Sequence, residues 1–109
     1  MMGTWSSWFP FPDPAKAGIL FAPIGPGCYD LRHGTDKVLC GSGKNVAFRM
    51  TSLLPKPWGQ GTRNNAEKRE YVLRNLGQIE YRTAPCKDDR AAKKLEIELR
   101  QEGSYRFKT

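Results

Sequence analysis

A hairpin signal between residues 27 and 41 constrains the fold of this chain more than any other feature. Two short strand-like runs, GCYDLR and KVLCG, flank the turn HGTD, whose glycine favours a tight backbone reversal. We therefore predict antiparallel strands over residues 27–32 and 37–41. With the turn centred on Gly34 and Thr35, Tyr29 would lie across from Cys40, directly beside Gly41.

The period of the apolar residues changes after the hairpin and becomes helical. Val46, Met50 and Leu53 recur at i, i+4 and i+7, which predicts a short helix that ends at Pro55. A second helix is predicted to begin at a capping pair, Asn64 and Glu67, and to stop at Gly77.

The last third of the chain predicts one more strand and one more helix. Residues 78–85, QIEYRTAP, alternate as a half-buried strand does, and Asp88 or Asp89 can cap the helix-forming run RAAKKLEIELRQE before Gly103. The element order is thus β-β-α-α-β-α. It predicts an α/β fold with a small three-stranded, mainly antiparallel sheet flanked by about three helices.

Composition separates the first 26 residues from the rest of the chain. Residues 1–26 hold five of the eight prolines and two of the three tryptophans, and they carry no net charge. We predict an irregular aromatic arm over residues 1–26 and one domain over 27–109. The arm is expected to pack over its own domain, with AGILFAPI (17–24) adding a short edge strand; the alternative is that it contacts a partner protein.

The whole formal charge of +7 lies in residues 27–109, which favours a polyanionic partner such as DNA; the alternative is a basic protein whose charge serves only solubility. No segment approaches the length of apolar sequence that spans a membrane, so no membrane partner is expected. Three cysteines without a CxxC pair favour neither a disulfide framework nor a zinc site. With no signal-peptide pattern at the N-terminus, we expect a cytoplasmic protein. No motif for a small-molecule cofactor is evident, because GSGK lacks the spacing of a nucleotide-binding phosphate loop.

The stretch VLCGSGKNVAFR is a candidate phosphate-binding element. A glycine turn that leads into a helix can present unpaired N–H groups, to which Lys44 adds a point charge and Arg49 a planar guanidinium. The alternative is a turn that only connects two elements. On the last helix, Glu96 and Glu98 both border the apolar stripe, and the pattern alone does not decide which could hold a hard cation.

Four short motifs resemble the GIY-YIG nuclease family. They are Gly27-Cys28-Tyr29, Leu39-Cys40-Gly41, the turn and helix G-x-x-K-N-x-x-x-R that ends at Arg49, and the pattern A-x-x-L-E-x-x-L over residues 92–99. The resemblance covers residues 27–103 and selects Glu96 over Glu98. Leu39 stands where the family has its second tyrosine.

The resemblance implies a metal-dependent endonuclease that hydrolyses DNA phosphodiester bonds with Mg²⁺ or Mn²⁺. Tyr29, Arg49 and Glu96 would be catalytic, with Glu96 holding the single divalent cation. Phosphate and DNA would be bound by Gly41, Lys44, Asn45 and Arg49.

A free tyrosine has a pKa near 10, so Tyr29 would need the metal or nearby cations to favour its phenolate, and the basic surroundings would favour it. Tyr105 or His33 could substitute for the tyrosine that Leu39 replaces. The alternative is a catalytically inactive nucleic-acid-binding module of the same fold.

Overall fold

The computed structural model describes residues 5–13, 20, 22–54, 59 and 66–107. Its centre is the expected hairpin, formed by β2 (Gly27–His33) and β3 (Asp36–Gly43). Gly34 in the turn has a φ of 64°, a left-handed conformation that glycine adopts without steric cost.

A bulge between Leu31 and Arg32 shifts the hairpin register by one residue. Tyr29 therefore pairs with Gly41 and not with Cys40, so the predicted register is wrong beyond the bulge. Because successive strand residues point to opposite faces, the shift puts Tyr29 and Gly41 on the same face of the sheet.

The sheet has four strands, in the order β1-β4-β2-β3, and all its pairings are antiparallel. β4 (Ile79–Pro85) pairs with β2. The predicted three-stranded sheet lacked β1 (Phe9–Pro10), which is the fourth strand. Pro10 is tolerated because β1 lies at the edge of the sheet. Of the predicted strand 17–24, residues 17–19 and 21 lie outside the described residues, and the remainder is not in a strand.

Three helices complete the order that the sequence predicts: α1 (Val46–Thr51), α2 (Ala66–Arg74) and α3 (Asp89–Glu102). The cap of α3 is Asp88, whose carboxylate accepts a hydrogen bond of 2.8 Å from the Ala91 N–H. The predicted cap Asn64 lies outside the described residues.

The helices pack on both faces of the sheet. The larger apolar cluster joins α1 and α2 to one face, and it consists of Phe11, Leu31, Val38, Leu39, Val46, Met50, Leu53, Leu54, Val72, Ile79 and Tyr81. α3 covers the other face through smaller clusters that contain Cys28, Cys40, Ala84, Ala92, Leu95, Leu99 and Tyr105. The stripe of Ala92, Leu95 and Leu99 is buried, as its spacing predicts.

The described part of the arm packs against its own domain, as expected. The N–H groups of Ser6 and Phe11 donate to the carbonyls of Thr83 and Ile79, each at 2.8 Å. The Phe11 side chain is 2% exposed within the larger core cluster. No helix among the described residues is long and apolar enough to span a membrane.

Candidate active site

The phenol of Tyr29 occupies the space that a side chain at position 41 would fill. A Cβ atom at Gly41 would lie 2.4 Å from the Tyr29 hydroxyl oxygen and 2.5 Å from Cζ, far inside van der Waals contact. Glycine at this position therefore leaves room for the ring over β3. The glycine of the LCG motif has a steric role in placing the tyrosine.

Arg49 lies beside Tyr29 on the same face of the sheet. Its side chain extends from α1 over Gly43, where a Cβ atom would lie 3.3 Å from Arg49 Cδ. The guanidinium comes close enough to the phenol to act on its pKa through charge and hydrogen bonding. Arg49 and Lys44 are both exposed, so a ligand from solvent can reach them.

Burial raises the pKa of Tyr29 above that of a free tyrosine, and the Glu96 charge raises it further, while Arg49 acts in the opposite direction. Desolvation has the larger effect, because the charged phenolate loses its hydration in this position. The expectation that basic surroundings favour the phenolate is therefore wrong for this structure. At neutral pH Tyr29 is a neutral phenol.

Glu96 reaches the same strand from the opposite face. It is 3% exposed on α3, and its Oε1 accepts a hydrogen bond of 2.5 Å from the hydroxyl of Ser42, the residue between Gly41 and Gly43. Its carboxylate also pairs with Arg100 and, at 3.6 Å, with Lys93. Glu98 is less buried than Glu96.

Charges on the two faces of the sheet act on each other around β3, which is an edge strand. Glu96 acts on the pKa of Tyr29, and both Arg49 and Arg100 act on Lys68 of α2, whose pKa is lowered mainly by burial. These groups form one electrostatic cluster at β3, but Tyr29 and Arg49 lie on one face of the sheet and Glu96 on the other, so the structure does not bring the three side chains to one face.

Sequence reasoning missed three members of this cluster: Ser42, Lys68 and Arg100. Arg100 follows Glu96 by four residues, so the helical period could have revealed this ion pair. Lys68 is brought in by packing of α2, for which the sequence holds no local signal.

The first turn of α1 does not offer free amides to an anion. The N–H groups of Val46 and Ala47 donate to the carbonyls of Gly25 and Pro23, each at 3.0 Å. The Phe48 N–H donates to the Asn45 side chain at 3.1 Å. The N–H groups of Val46, Ala47 and Phe48 are therefore not available to an anion, contrary to the predicted helix-terminus site.

Leu39 is 2% exposed within the apolar core, where it packs as an ordinary core residue. Tyr105 and His33, the two residues suggested as substitutes for the missing tyrosine, both have other hydrogen-bond partners. The Tyr105 hydroxyl donates to Asp30 at 2.8 Å, and both ring nitrogens of His33 are hydrogen-bonded, to Tyr71 and Gln78.

A metal site built only from protein ligands is absent from the described residues, since no group of three or more His, Cys, Asp or Glu side chains converges there. Magnesium in phosphoryl-transfer sites commonly uses one or two carboxylates together with water and substrate phosphate. The Glu96 carboxylate, with the Ser42 hydroxyl beside it, fits that mode. The cations around Glu96 oppose binding of a bare dication, so the fit requires the negative charge of a phosphate.

Comparison of the chain with protein-family models, with curated proteins and with solved structures gave no match in any of the three.

Proposed function

We propose that this protein is an endonuclease of the GIY-YIG type that hydrolyses phosphodiester bonds in DNA with a divalent cation, Mg²⁺ or Mn²⁺. The supporting observation is the cluster at the glycine segment of β3. Tyr29 lies over Gly41, Arg49 lies over Gly43, and Glu96 holds Ser42 between them. A phenol and a guanidinium on one face of β3, and a carboxylate on its other face, thereby come from distant parts of the chain to one strand.

Arg49 and Lys44 bind the phosphate. Both are exposed cations on the hairpin-to-helix segment, and the guanidinium can donate to two phosphate oxygens at once. The same charges stabilise the additional negative charge that develops on phosphorus in the transition state.

Tyr29 orients the attacking water as a neutral phenol. Because a guanidinium only donates hydrogen bonds, the phenol oxygen accepts from Arg49, and the hydroxyl proton can be directed to a water or a phosphate oxygen. Glu96 would hold the cation, which when bound supplies Lewis acidity at the phosphate.

The test is nicking of supercoiled plasmid with Mg²⁺ and with Mn²⁺. The wild type and Glu98→Ala are expected to nick, because Glu98 is outside the cluster, whereas Glu96→Gln and Tyr29→Phe are expected to lose most activity. Circular dichroism establishes that each variant is folded. Equal nicking by all four proteins would identify a contaminating nuclease and reject the proposal.

The second candidate is a nucleic-acid-binding module without catalysis, and the observation that favours it is Leu39, an apolar core residue. It predicts binding of DNA in a gel-shift assay but no nicking by the wild type with either metal. An Arg49→Gln variant would then bind DNA more weakly.

A further inference from the structure

An apolar patch of two exposed residues, Ile24 and Phe48, lies beside the proposed phosphate-binding side chains. Ile24 is 86% exposed and Phe48 75% exposed. Only one other large apolar side chain among the described residues, Ile97, is classed as exposed, at 45%. Single exposed apolar residues are common on protein surfaces, so the placement of these two is what matters.

Backbone hydrogen bonds hold the segment that contains Ile24 beside the start of α1. Gly25 and Pro23, which flank Ile24, accept the hydrogen bonds from the N–H groups of Val46 and Ala47 at the start of α1. Ile24 therefore lies on a segment that borders the first turn of α1, the turn that carries Phe48. Arg49 directly follows Phe48 in the chain, and Lys44 precedes Phe48 by four residues.

The charge around this patch favours a polyanion over a protein surface. Lys44 and Arg49 are both exposed, and residues 44–51 contain neither aspartate nor glutamate. An apolar protein partner would have to desolvate Lys44 and Arg49 without compensation, which is costly. A nucleotide carries the matching pair of groups, an anionic phosphate and a flat base.

We propose that Phe48 is a stacking site for a nucleic-acid base, flanked by Ile24, while Lys44 and Arg49 hold the phosphates of the same strand. The occupant is an unpaired base, since an aromatic ring can reach a base face only when that base is unstacked. This inference rests on the proposed function in that it needs a bound nucleic-acid strand. It adds a preference for single-stranded or distorted DNA at this position.

The test measures binding by fluorescence anisotropy in EDTA, which prevents cleavage. The probes are a labelled oligothymidine and the same strand with abasic sites in place of all its bases. Phe48→Ala is expected to weaken binding to oligothymidine by about fivefold or more, the lower end of what base stacking on an aromatic ring contributes. It should leave binding to the abasic strand unchanged, and Phe48→Trp should retain the stronger binding.

Two variants serve as controls. Ile97→Ala removes an exposed apolar side chain from α3 and should bind both strands as the wild type does. Arg49→Gln should weaken binding to both strands and reduce the slope of log K against log salt by about one, whereas Phe48→Ala should not change that slope.

The outcomes separate this inference from the proposed function. If the wild type binds both strands and Phe48→Ala binds them equally well, the stacking site is refuted while nucleic-acid binding stands. If the wild type binds neither strand, the proposed function fails as well. Dimerisation of the wild type that Phe48→Ala abolishes in analytical ultracentrifugation, with no change in DNA binding, would assign the patch to self-association and overturn the proposal.

Discussion

Gly41→Ala tests the steric basis of the site, because it adds one methyl group where the Tyr29 phenol lies. The new Cβ would be 2.4 Å from the hydroxyl oxygen and 2.5 Å from Cζ, so the rigid ring has to move. Overpacking of this kind costs about 1–3 kcal/mol. Alanine in a strand recovers about 0.5–1 kcal/mol relative to glycine. The net loss in the free energy of unfolding is then centred on about 1 kcal/mol, which lowers Tm by roughly 4–8 °C.

The matched control for this prediction is Gly43→Ala, two residues along the same strand and on the same face. Its Cβ would meet only the flexible Arg49 side chain, at 3.3 Å, so the free energy of unfolding should stay level or rise by up to about 1 kcal/mol. In a Tyr29→Ala background, Gly41→Ala should cost nothing, because the clashing ring is absent. Thermal and urea denaturation give all of these values. Equal losses for both glycines, or an undiminished loss in the Tyr29→Ala background, would refute the reasoning.

Two further predictions concern buried ionisable groups. Asp30→Ala should lower the free energy of unfolding by about 3 kcal/mol, because it removes a fully buried carboxylate that pairs with Arg82 at 3.0 Å. The control Asp36→Ala, at an exposed position, should change it by less than about 0.5 kcal/mol. Similar urea midpoints for the two variants would contradict this prediction. Burial raises the pKa of Cys28, so above the ordinary thiol pKa of about 8.5 the unfolded state loses this proton first and stability falls as pH rises. Urea unfolding between pH 7 and 10 should show a decline that is shallower in Cys28→Ala, by up to about 1.4 kcal/mol per pH unit; identical slopes would rule out this contribution.

The strands and helices of residues 27–109 could be predicted because the sequence patterns that specify them are local. The turn glycine, the capping aspartate before α3 and the apolar stripe of Ala92, Leu95 and Leu99 each act over a few residues. The structure places all of them as predicted. The same locality explains why the element order of residues 27–102 is correct.

The register of the hairpin and the fourth strand could not be predicted, because both depend on distant parts of the chain. The bulge after Leu31 leaves no mark in the period of the flanking residues, yet it decides that Tyr29 faces Gly41. β1 is a two-residue strand that contains Pro10, and β4, with which it pairs, is about 70 residues away.

Two motif residues of the candidate site, Gly41 and Asn45, have structural roles that the motif alone does not reveal. The sequence suggested that Gly41 and Asn45 contact phosphate, but in the structure each also has a local role, since Gly41 leaves room for a phenol and the Asn45 side chain caps α1. Arg100 pairs with the buried carboxylate of Glu96, and Lys68 lies near enough for the charges of Arg49, Arg100 and Glu96 to act on its pKa. A site with this excess of positive charge is better suited to a phosphate than to a free metal ion, so we expect the nucleic acid to bind first and to bring the cation with it.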